Sequence, residues 1–116
     1  MARIAKVEYD RDLDIMYVSV GKKASDSLEV DKFVIDFAGN DVVGVEIFDA
    51  SKTINGLSQS NLSKSMIGEL HDAKMVIHRS KELSYLVLLL YKRANSRSPT
   101  ISISVPAPRM AMTMHN

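Results

Sequence analysis

The chain has no cysteine and no tryptophan, only three prolines and five glycines, and no apolar run longer than the seven residues "YLVLLLY" at 85–91. Without cysteine there can be no disulfide, no thiolate nucleophile and no zinc site of the cysteine type. The same absence suits a cytoplasmic protein, which is the expected location. Seven apolar residues fall far short of the ~20 that a membrane-crossing helix needs. The opening "MARIAKVEYD" lacks the apolar core of a secretory leader. A soluble domain is therefore expected, with no membrane partner. Glycine-rich phosphate loops and the glycine–x–serine–x–glycine elbow are also missing. His71, His78 and His115 have no partner at metal-ligand spacing. The sequence thus assigns no catalytic, cofactor-binding or metal-binding residue, and an enzyme is not expected.

What is present fits one domain of ordinary size. The 116 residues are 46% hydrophobic and 25% charged, enough to bury a core without metal or disulfide staples. Net charge is only +1, but it is unevenly spread. Residues 1–49 hold eleven acidic against six basic residues, a net of −5, and residues 50–116 hold three against nine, a net of +6. Such a division suits halves that attract each other, within one domain or between subunits.

The hydrophobic pattern predicts an α+β fold: a mostly antiparallel β meander in the order ββββ-α-βββ, with one short covering helix. Strands are expected at 3–9 and 14–20 around a polar turn, then at 28–37 and 42–48 around the turn "AGND". "SKTINGLSQS" at 51–60 reads as a linker. Ser60 or Asn61 is the expected cap of a helix running from Leu62 to about 71–72, with Leu62, Met66, Ile67 and Leu70 facing inward. Strands at 73–79, 82–92 and 99–108 follow, the last alternating Ile101, Ile103 and Val105 with hydroxyl residues. Residues 1–108 form the expected domain and 109–116, rich in methionine, a flexible tail.

The turn "YDRDLD" places Asp10, Asp12 and Asp14 at alternate positions. An EF-hand loop counted from Asp10 would need glycine at its sixth place and glutamate at its twelfth, where the chain has Ile15 and Gly21. The aspartates are therefore expected to serve the turn by accepting hydrogen bonds from nearby backbone N–H groups. Glu46 is expected on a solvated sheet face, and Asp49 in a turn or cap.

"VEYDRDLDIMYVSV", "SLEVDKFVIDF" and "DVVGVEIFDAS" together resemble the domain-of-unknown-function 2283 family over residues 4–52. Tyr9, Asp10, Tyr17, the strand at 34–37 and the phrase at 43–51 carry the resemblance. It implies a small β-rich domain without an established activity, and a small protein partner in the manner of antitoxins.

The strand at 85–91 is apolar on both faces: Leu86, Leu88 and Leu90 on one, Tyr85, Val87, Leu89 and Tyr91 on the other. Such a strand must be covered on both sides, and one short helix covers part of one. The favoured function is a non-catalytic protein-interaction domain that self-associates as a homodimer, with Leu86, Leu88 and Leu90 as its candidate contacts. The alternative is nucleic-acid or small-ligand binding by the basic C-terminal half, through Arg79, Lys92, Arg93 and Arg97. Nucleic acid is disfavoured, because these residues split between strand ends ~30 Å apart and lack interleaved aromatics.

Overall fold

The computed structural model describes residues 2–79, 84–93 and 97–106. They form one antiparallel sheet of eight strands that curls into a half-barrel, with two short helices. The strands are β1 (Ala2–Asp10), β2 (Ile15–Ser19), β3 (Asp26–Val30), β4 (Phe33–Ala38), β5 (Asp41–Ile47), β6 (Asp72–Arg79), β7 (Ser84–Tyr91) and β8 (Ile101–Pro106). Between β5 and β6 lie α1 (Ala50–Ser58) and α2 (Lys64–Ile67). The sheet order is β3-β4-β5-β2-β1-β6-β7-β8.

Strand alternation gives the sheet an inner and an outer face. On the inner face the cross-strand rows run through Ile35, Val45, Val18 and Val7 in one half, and through Met75, Leu88 and Ile103 in the other. All of these are buried. Ala50 and Ile54 of α1, with Ile67 and Leu70 at α2, complete the same core. Each fully buried leucine or isoleucine contributes about 1.5–3 kcal/mol of transfer free energy.

The expected α+β meander with one covering helix is corrected on three points. First, the stretch at 28–37 is two strands, because Asp31 turns the chain with φ 53° between β3 and β4. An aspartate in the left-handed region makes a turn without the glycine or proline that usually marks one. Second, the order is not sequential: β5 returns beside β2, leaving the β3–β4 hairpin outside it at one end of the sheet. Third, the main helix occupies the supposed linker. The stretch "TING" within α1 is poor helix-forming sequence, so tertiary contacts must hold it. Buried Ala50 and Ile54 supply part of that hold. A clamp supplies more: Asn55 Nδ2 donates to the Leu62 carbonyl at 2.8 Å, and Leu62 N–H donates back to Asn55 Oδ1 at 2.8 Å.

In the span expected to be helical, only Lys64–Ile67 forms one turn. Its cap is Ser63, which accepts from Met66 N–H, rather than Ser60 or Asn61. Ile67 and Leu70 are buried, whereas Met66 is 47% exposed. The end of the expected last strand and the tail at 109–116 lie outside the described residues. Among the described residues no helix is long and apolar enough to cross a membrane.

Candidate functional site

The aspartate turn meets the start of α1. Asp10 Oδ1 accepts from Leu13 N–H at 3.0 Å, closing the turn locally. Asp14, with φ 55°, points its carboxylate elsewhere. Its Oδ1 accepts from Tyr9 Oη at 2.6 Å and from Ser51 N–H at 3.0 Å, and its Oδ2 accepts from Ser51 Oγ at 2.6 Å. Its backbone carbonyl accepts from Ala50 N–H at 2.8 Å.

Asp49, at the N-cap position, makes no capping bond with its own side chain; it pairs with Lys32 at 3.0 Å. A helix leaves its first N–H groups without intrahelical partners. Here Asp14, from another element, supplies both acceptors and a negative charge at the helix N-terminus. Burial alone would raise the Asp14 pKa, but the bonds from Ser51 and Tyr9 and the charge of Lys64 hold it below its ordinary value. Burial and the same carboxylate raise the Tyr9 phenol above its own. Both carboxylate oxygens and the Ser51 hydroxyl are engaged in fastening the turn to the start of α1.

A second polar group lies on the outer face. Tyr17 Oη donates to Asp36 Oδ2 at 3.1 Å, and Ser27 Oγ donates to Asp36 Oδ1 at 2.6 Å. Burial, then the Asp36 bond, raises the Tyr17 pKa. Gly44 lies between them: a Cβ there would sit 2.7 Å from Tyr17 Oη and 3.2 Å from Asp36 Oδ2. The glycine leaves room for the tyrosine to lie across the sheet. Gly44→Ala should therefore cost about 1–2 kcal/mol through the displaced hydroxyl and its lost bond. In urea unfolding, the double variant with Tyr17→Phe should cost less than the two single changes added.

Among the described residues no group of three His, Asp or Glu side chains is placed to hold a metal ion. Glu46 lies half-buried on the outer face, opposite Tyr17 and Val34. The strand expected to be two-sided is β7. Leu86, Leu88 and Leu90 are 0% exposed and packed into their own subunit's core. Tyr85, Val87 and Leu89 point outward and are half-buried, beside Val76 and Lys74 of β6. The outer row continues to Ile4 of β1, which is 73% exposed. Surface contact through this strand therefore falls to the face opposite the three leucines.

The four basic candidates are not gathered. Lys92, Arg93 and Arg97 are exposed together on the β7–β8 connection, Lys92 being 3.9 Å from Glu69 Oε2. Arg79 lies at the far end of β6, paired with Ser84, seven positions along β6 from the Asp72–Tyr91 pair. That separation is ~23 Å of strand.

Sequence reasoning missed the link from Asp14 to Ser51, whose partners are 37 positions apart. The available signal was the phrase "DAS" directly after a strand, with small and hydroxyl residues suited to a helix start.

Residues 6–51 match the family described as protein of unknown function DUF2283. They include Tyr9, Asp14 and Ser51 of the first polar group and Tyr17, Ser27, Asp36 and Gly44 of the second. An uncharacterized protein of Methanocaldococcus jannaschii is 41% identical over 64 residues, covering 53% of this chain and 54% of that relative. The chain thus spans about half the length of the curated relative it matches. No solved structure matches. Through residues 6–51, which carry the second half of β1, the strands β2 to β5 and the start of α1, the chain is similar to the DUF2283 family.

Proposed function

We propose that the protein is a non-catalytic interaction domain that self-associates as a homodimer through the outer face of β6 and β7. The observation that carries this reading is the two-sided apolar character of β7. One side fills the core, and the other presents Tyr85, Val87 and Leu89 beside Val76, with Lys74 standing between Leu89 and a 73% exposed Ile4. The outer side of an antiparallel sheet is ordinarily polar, and contiguous apolar surface marks a contact site. The neighbouring outward positions of β8, Ser102 and Ser104, form a polar rim, as protein interfaces have. The family resemblance extends the proposal to a small protein partner, antitoxin-like in style.

Light scattering across a concentration series tests the reading. The native chain should exceed the monomer mass, and Leu89→Lys should weaken this contact by about tenfold or more. Because Leu89 lies outside the core, the variant's circular dichroism should match that of the native chain. A native monomer at every concentration would end the proposal.

A further inference from the structure

We propose that the two edges of the half-barrel, β3 and β8, pair with one another between copies of the chain. This contact is additional to the outer-face contact and rests on the same self-association reading. Among the described residues, β3 has a strand neighbour only in β4, and β8 only in β7. All seven adjacencies are antiparallel. Strand direction therefore alternates along the eight strands, and β3 and β8 run oppositely. A β8 placed beside the β3 of another copy continues the alternation, giving the antiparallel ladder that the rest of the sheet uses.

The charges of the two edges match in that register. β3 contains Asp26 and Glu29 and ends at the exposed turn residue Asp31. β8 is "ISISVP", without a charge, and follows the exposed Arg97. Antiparallel pairing sets the start of one strand against the end of the other, bringing Arg97 and the nearby Arg93 toward Glu29 and Asp31. Natural edge strands are usually guarded by charge. β3 has that guard, in the sign that repels another β3 and accepts the basic end of β8.

Beside the β3 edge, a mostly apolar groove between α1 and the β3–β4 hairpin is lined by Val30, Phe33, Thr53, Gly56 and Leu57 together with the charged Asp31 and Lys52. Leu57 is 47% exposed there, and a second copy on this edge would cover it. A twofold axis would satisfy both edges at once, so the edge contact taken by itself closes as a pair.

The test is light scattering on the full chain in the Leu89→Lys background, where the outer-face contact is weakened, at concentrations below those at which that weakened contact forms. A dimer should persist. Reversing the acidic side with Glu29→Arg and Asp31→Arg should weaken it by about tenfold, and higher salt should weaken the unreversed dimer. Adding Arg93→Glu and Arg97→Glu to the acidic reversal should restore it. If Leu89→Lys alone gives a monomer, the edge proposal fails while the outer-face reading stands. A dimer indifferent to the charge reversals also overturns it. A native chain that is monomeric removes both.

Discussion

Asp14→Ala is expected to destabilise the protein by about 3 kcal/mol, because three donors lose one charged acceptor in a partly buried place. Ser51→Ala, which leaves the backbone bond from Ser51 N–H intact, should cost about 1 kcal/mol. Urea unfolding monitored by circular dichroism measures both. The linkage to pH has a definite sign. Asp14 has a folded pKa below its ordinary 3.8, since the bonds from Ser51 and Tyr9 and the charge of Lys64 outweigh burial. The unfolded chain therefore takes up this proton first as pH falls. The stabilisation is fully present above that ordinary value and is lost as pH drops through the lower folded one. Asp14→Asn should flatten this part of the acid limb. If Asp14→Ala unfolds at the same urea concentration as the native chain, the carboxylate does not hold α1.

Leu88→Ala should cost more, about 3–5 kcal/mol, as a large-to-small change at a closed site. Leu88 is 0% exposed, between Met75 of β6 and Ile103 of β8. The neighbouring change Val87→Thr points to the outer face and should cost under about 1 kcal/mol. The contrast between adjacent positions, read from urea midpoints, checks the inward and outward assignment of β7. Equal costs would overturn it.

The parts of the fold that could be read from the sequence are those governed by local alternation. β1, β2, β5 and β8 each show it, β7 is marked instead by its apolar composition between polar turns, and the expected strands overlap the observed ones. Positions governed by distant partners were less legible. α1 resembles a linker because Gly56, Asn55 and Thr53 disfavour a helix, and what rescues it comes from Asp14 and Leu62. The β3–β4 turn was hidden because Asp31 adopts φ 53° without a glycine to announce it. For the site, the two-sided character of β7 was visible from composition alone. Which side the core would claim was not, since that depends on the register between β6 and β7, set by residues 72 to 91 in pairs.

β1 is the seam of the molecule. It holds β2 along 6–10 and β6 along 2–6, so the family-like part and the strands β6 to β8 are stitched through one ribbon. During synthesis β1 emerges before β6, and half of it must wait until residues 72–76 leave the ribosome before its other border is occupied. Until then Ile4 and Ala5 stand on an unguarded margin. The newborn chain is thus open to stray pairing along this half of β1 until β6 seals it.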